Sequence, residues 1–210
     1  TLHEQLQLAE ELTRSDYALA ELFKTWDIEY RTGGRNACEQ ASDAGLTCLY
    51  QKASWTGLQQ MDRPAVLTLV DDDGSSHSVV LTAISGNEAE LSLGGVRVAH
   101  PVTEIIGYWF GEFMLLWRPP TGSAVSLGPG SQGPGVSWLR NSLAAIDGRY
   151  ASGNPLSETF DSELEQIVRR FQREHRLDVD GLAGQQTQIV INSLLAVEGT
   201  PRLSTPRLAQ

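Results

Sequence analysis

Residues 160–187 read FDSELEQIVRRFQREHRLDVDGLAGQQT. The apolar residues Leu164, Ile167, Val168 and Phe171 recur at three and four, which places them on one face of a helix. Phe171 sits one turn from Ile167 and Val168 and so points at a core. Thr159-Phe160-Asp161 supplies polar starters for this helix, and Glu163 strengthens the assignment. Leu177-Asp-Val-Asp180-Gly181 then ends it and turns toward the next. Gly181 is expected to need a positive φ, with Asp180 bonding backbone amides inside the turn. Gly184 is expected to let the loop approach the next helix start closely, and Thr187 to satisfy free amides there. The same rhythm marks Val136, Leu139, Leu143 and Ile146 upstream and Ile189, Val190 and Leu194 downstream. The pattern predicts a three-helix unit over 135–200, followed by a tail over 201–210.

Upstream of this unit, residues 119–134 are dominated by Gly, Pro and Ser. Such a composition sustains no helix and carries few side chains to bury, so it reads as a linker. Residues 1–118 have a different character. Leu6, Leu8, Leu12, Leu19, Leu22 and Phe23 fit one or two helices, and Trp55 to Met61 a short one. Strand candidates follow: Pro64–Val70, closed by an Asp-Asp-Asp-Gly turn, then His77–Ile84, Glu88–Leu93, Val96–Val98 and Phe113–Trp117. Thr103 to Tyr108 reads as a helical turn or two. Turn residues at short intervals favour an antiparallel meander, and helices before a sheet make the domain α+β.

The chain has 210 residues, and its formal net charge of −10 is placed unevenly. Residues 1–122 hold 8 basic and 17 acidic side chains, a balance of −9, and the remainder 8 and 9, a balance of −1. A field of that sign repels phosphate, so neither nucleic acid nor an anionic membrane surface is an expected partner. No stretch approaches the roughly 20 apolar residues of a membrane span. The first residue is Thr rather than Met, which reads as a piece of something longer and leaves room for a membrane anchor upstream. His3, His77, His100 and His175 are scattered and neither cysteine has a partner at zinc spacing, so no metal and no cofactor are expected.

Cys38 and Cys48 lie in one short polar stretch. Two readings stay open: a disulfide in an oxidising compartment, or one nucleophilic thiol beside a bystander. A bridge would close a loop of 11 residues and stabilise by about 2.5–3 kcal/mol on the chain-entropy account.

The run Phe160-Asp161, Leu164, Val168, Phe171-Gln172, Leu177, Asp180-Gly181, Gly184 and Thr187 resembles the peptidoglycan-binding domain of many cell-wall hydrolases. Gly135 to Leu143 resembles that family's first helix. The resemblance implies that most motif residues are structural. Ligand contacts are expected on the rim of the turn, from Arg170, Gln172, Asp180, Gly181, Gly184 and Thr187, with the 147–157 loop long enough to wall a groove. More weakly, Cys38 to Trp117 resembles the bacteriocin-processing class of papain-like cysteine peptidases. Ala37-Cys38 with Thr47-Cys48-Leu49 is similar to its nucleophile region, and His77-Ser-Val-Val-Leu to the strand that opens on its general base. Departures are evident. The family's Asp-Cys-Gly is replaced by Ala37-Cys38-Glu39, where a carboxylate opposes thiolate formation. Its orienting Asp-Pro is replaced by Ser92-Leu93, and only Gln40 resembles an oxyanion-hole donor.

Together the two parts resemble the periplasmic region of the general secretion pathway protein A family. That resemblance implies a non-catalytic periplasmic module that binds peptidoglycan and helps assemble the type II secretion secretin. It also implies an inner-membrane partner protein, an oligomer in the full protein, and membrane attachment only through the upstream anchor. The alternative is a wall-targeted cysteine peptidase or amidase using Cys38 and His77.

Overall fold

Alternating apolar residues over Ala65–Val70, Ser76–Ser85 and Glu88–Leu93 set the centre of the first part of the molecule, because each such run buries one or both faces of a strand. The structure, a computed structural model, describes residues 1–204. It divides into two units, Thr1–Trp117 with the segment from Gly199, and Arg118–Glu198.

In the first unit six strands form one antiparallel sheet: β1 (Thr47–Lys52), β2 (Ala65–Val70), β3 (Ser76–Ser85), β4 (Glu88–Leu93), β5 (Val96–Pro101) and β6 (Trp109–Trp117). The spatial order is β1-β6-β2-β3-β4-β5. Strands β2 to β5 make the expected meander. The last strand instead crosses back to lie between β1 and β2, with Ala65 opposite Leu115 and Cys48 opposite Leu116. The stretch around the cysteines is also more ordered than its polarity suggested. It holds helix α3 (Ala37–Asp43), capped by Asn36, and the edge strand β1.

Against one sheet face pack α2 (Ser15–Lys24) and α3, through Ala18, Leu22, Phe23 and Ala41 on Val66, Val80, Met114 and Leu116. Side chains alternate along a strand, so Leu67, Leu69, Val79 and Leu115 face the other way. Further helices of the unit are α1 (Leu2–Leu8), α4 (Trp55–Met61) and α5 (Val102–Tyr108), whose Leu6, Leu58, Met61 and Ile105 are buried. The presumed tail is no tail as far as Ser204. Leu203 is buried, its carbonyl accepts from Ile84 N at 2.9 Å, and the buried carboxylate of Asp62 accepts from Arg202 Nε, Ser204 N and Ser204 Oγ. Residues 205–210 lie outside the described residues.

The second unit has three α-helices: α6 (Pro134–Ile146), α7 (Ser162–Glu174) and α8 (Gln185–Leu194). Val136, Leu139, Leu143, Leu164, Val168, Phe171, Ile189 and Ile191 are fully buried. Pro134 sits at the first turn of α6, where its missing N–H costs nothing. Asp161 caps α7, its side chain accepting from Leu164 N at 2.9 Å. From Val125 onward the Gly/Pro stretch is a packed strap rather than a free linker. Val125 O accepts from Gln188 Nε2, Leu127 and Ala183 exchange both backbone bonds, and Gln132 bridges Thr159.

Candidate functional site

In the helical unit the turn 176–184 is built around one side chain. Gln172 is 1 % exposed. Its Oε1 accepts from Gly181 N at 2.9 Å, and its Nε2 donates to Asp180 Oδ1 at 2.8 Å and Leu182 O at 2.9 Å, with Thr187 Oγ1 at 3.3 Å. Asp180 Oδ1 also accepts from Leu182 N, which closes the tight turn. Gly181 takes φ +80°, and a Cβ there would lie 2.8 Å from Arg169 Nε. The positive φ favours glycine, and a larger residue would also displace the Arg169 guanidinium.

These contacts correct several expected roles. Gln172 and Thr187 are buried and bonded to the loop, so their side chains shape the surface instead of presenting themselves on it. Thr187 Oγ1 meets Gln172 rather than the free amides of α8. Gly184 caps α8 with no side chain, and a Cβ there would meet nothing nearer than Ser126 Oγ at 3.9 Å, so close approach is not its reason. Asp180 and Arg170 do reach the surface. Arg170 Nη1 donates to Arg149 O at 3.3 Å. The 147–157 loop folds inward through a short 3-10 turn (Gly148–Tyr150), and buried Tyr150 meets the Phe171 ring edge-on at 5.7 Å. The Tyr150 hydroxyl donates to Glu174, and burial together with that carboxylate pushes its pKa up to about 12.

In the sheet unit, Cys38 and Cys48 are joined by a disulfide, with their Cα atoms 5.6 Å apart. The bridge ties α3 to the edge strand β1. His77 is the second residue of β3, and β6 and β2 lie between β1 and β3, a lateral separation of roughly 14 Å. The structure therefore does not bring Cys38 and His77 together. Gln40 is likewise occupied elsewhere, its Nε2 donating to Arg31 O and Arg35 O and its Oε1 accepting from Arg31 N.

What surrounds His77 was missed from sequence. Its Nδ1 lies 2.8 Å from Thr13 Oγ1 and its Nε2 3.1 Å from Asp71 Oδ2. Hydroxyl, imidazole and carboxylate thus stand in the order of nucleophile, base and orienting group. The hydrogen bond from His77 holds the Asp71 carboxyl below the usual carboxylate range, with backbone bonds from Ser75 and Asp73 assisting. Yet Thr13 and His77 are each 2 % exposed, and the Thr13 hydroxyl donates to Glu10 O at 3.0 Å. A cavity of about 480 Å³ opens near Ser15, Tyr50, Thr68, Ser78 and Met114, on the other face of β3 from His77. A signal for Asp71 existed: it opens the turn of the β2–β3 hairpin, where Val70 pairs with Ser76. No local signal marked Thr13.

Ser92, at the place of the family's orienting Asp, donates to Glu21 Oε2 instead. His100 lies between Glu104 and Gln5, and His175 against the Phe171 ring. Among the described residues no group of three or more His, Cys, Asp or Glu side chains is arranged to hold a metal ion. Among them, too, no helix is long and apolar enough to cross a membrane.

An antiparallel sheet with a buried histidine network, joined to a three-helix unit with a glutamine-centred turn, defines a peptidase C39-like domain that carries a peptidoglycan-binding-type module. Residues 4–119 match the family described as "GspA, peptidase C39-like domain", and residues 132–191 match the peptidoglycan binding domain family. The chain belongs to the general secretion pathway protein A family. The general secretion pathway protein A of Aeromonas hydrophila is 32 % identical over 202 residues, which are 92 % of this chain and 36 % of that protein. The chain thus spans about a third of the length of that relative. Among solved structures, a periplasmic domain of the EpsAB fusion protein of the Vibrio vulnificus type II secretion system superposes with a TM-score of 0.54. It is 28 % identical, and the match covers 90 % of this chain and 82 % of that one.

Proposed function

We propose that this chain is a non-catalytic, peptidoglycan-binding periplasmic module, and that it helps assemble the type II secretion secretin through the cell wall. The observation that carries the binding half is the Gln172-centred turn. Four hydrogen bonds inside the unit hold its amides and its exposed residues in one shape, as a site for a polar sugar-peptide ligand requires. Arg170, Asp180 and the backbone around Gly181 and Gly184 form the contact rim, with Gln172 and Thr187 as its supports. The non-catalytic half rests on chemistry. Both sulfurs are bonded to each other, and the hydroxyl that faces His77 is buried and already donating to a backbone carbonyl.

An oxidising compartment suits the disulfide and is where the wall lies, in agreement with the periplasmic origin of the Vibrio relative. Attachment to the membrane then comes from outside this chain. The expected partners are an inner-membrane protein of the system and the secretin, with oligomers of the full protein adding avidity to single weak contacts. The net charge of −10 argues against nucleic acid. Co-sedimentation of the chain with insoluble sacculi tests the first step, and retention is expected. A chain left wholly in the supernatant removes the reading. Secretin multimers in cells whose protein lacks residues 136–196 test the second, and their undiminished formation would sink the assembly role.

A further inference from the structure

Among the described residues most lysines and arginines hold a carboxylate. Lys24, Lys52, Arg35, Arg97, Arg140 and Arg202 each stand within 4 Å of an Asp or Glu oxygen. Arg170, Arg173 and Arg176 break this habit. All three are exposed, and among the described residues none has a carboxylate within ion-pair distance. They crowd the last turns of α7 and its exit, the first two separated by three residues and so neighbours on the helix surface. Arg169 stands with them, bridging Glu165 and donating to Val179 O, which fastens the helix to the turn built by Gln172. Glu174, the acid within this stretch, is turned to Tyr150 and Arg149. Complementing the helix dipole explains one or two cations at a C-terminus. It does not explain a third beyond the helix end, nor three exposed arginines in seven residues without an ion-paired acid. In the turn that Arg169 fastens to this helix, Val179 and Leu182 are each 41 % exposed.

We infer that this arginine face reads the free carboxylates of peptidoglycan stem peptides. The inference rests on the peptidoglycan reading above and specifies which part of the polymer is gripped. Stem peptides combine carboxylates with alanine methyl groups, while the glycan hydroxyls are neutral. Unpaired guanidiniums match carboxylate geometry with two parallel N–H donors, and Val179 and Leu182 offer the methyl groups a dry neighbour.

The test uses the full chain and two sacculus preparations, native and with their carboxylates converted to amides. Native sacculi are expected to bind the unaltered chain with an affinity that falls as salt rises. The triple variant R170Q/R173Q/R176Q keeps residues of similar helix propensity, and its melting curve checks that it is folded. Its affinity for native sacculi is expected to drop about tenfold, the combined worth of three exposed ionic contacts. Its salt dependence should flatten, and amidation of the sacculi should no longer matter to it. Equal binding of variant and unaltered chain, with the same salt dependence, overturns the inference and leaves peptidoglycan binding standing. An unaltered chain that binds amidated sacculi as well as native ones also overturns it. No retention of the unaltered chain on native sacculi removes both.

Discussion

Gln172 in the helical unit and His77 in the sheet unit are both buried polar hubs, yet they serve opposite ends. Gln172 reaches across from a helix to hold a loop open in one shape, and Arg170, Asp180 and Val179 around it stay exposed. His77 reaches from a strand to fasten Thr13 and the Asp71 turn down over itself, and the three groups are sealed at 8 % exposure or less. One network builds a surface and the other closes one. The contrast teaches that a side-chain constellation in catalytic order says little without a path for substrate, whereas a fully internal network can fix the shape of an exposed surface.

The hardest blow to this contrast comes from Gln172→Leu. It leaves the buried Gly181 amide, Leu182 O and Thr187 without their partner, and should cost the helical unit about 3 kcal/mol. Sacculus binding should fall with it, even in the fraction that stays folded. A stable variant with full retention would make the turn dispensable. Next in size is Cys38→Ser with Cys48→Ser. Opening the bridge should lower the stability of the sheet unit by about 2.5–3 kcal/mol while the helical unit melts unchanged, as calorimetry can resolve. Loss of sacculus binding in this variant would break the division of labour. Thr13→Val is milder. It strips His77 Nδ1 of its hydroxyl at nearly constant volume, for a cost of about 1–2 kcal/mol. Peptide hydrolysis should be undetectable before and after, and a measurable activity lost on this change would give the closed network a catalytic role.

The two networks also differ in how far the sequence disclosed them. Helices α6 to α8 were legible because Leu139, Leu143, Leu164, Val168 and Phe171 repeat at the helical period and the Asp180-Gly181 turn has its own chemistry. Sequence places Gln172 among the polar groups on the rim of the turn, and only the packed loop shows that its amide faces inward. In the sheet unit β2 to β4 were clear. The edge strand β1 was not, since Thr47–Lys52 is half-buried and lacks a clean apolar alternation. Thr13 lies 64 residues from His77, and a pair that remote leaves no spacing to read.

The smallest expected effect sharpens the comparison at the rim of the helical unit. Asp161 caps α7 and also accepts from Arg140 Nη2 at 2.6 Å. The backbone bond from Leu164, and then Arg140, hold its carboxyl below the usual carboxylate range. A lowered folded-state pKa contributes stability that is present above the unfolded value of about 4 and disappears as pH falls through the folded value. Asp161→Asn keeps the acceptor oxygen and is as good a helix cap, so only the charge is removed. The Asp161 side chain is 39 % exposed and solvent screens it, which limits the cost at pH 7 to under about 1 kcal/mol. As pH falls from about 4 through that lower folded value the natural carboxyl is progressively neutralised, and the deficit of the variant should shrink toward zero. Urea midpoints measured at pH 7 and at pH 3 decide the matter. A deficit of equal size at both would assign the stabilisation to the geometry of the cap, and the charge on Arg140 would then be held by its packing and the Thr159 carbonyl alone.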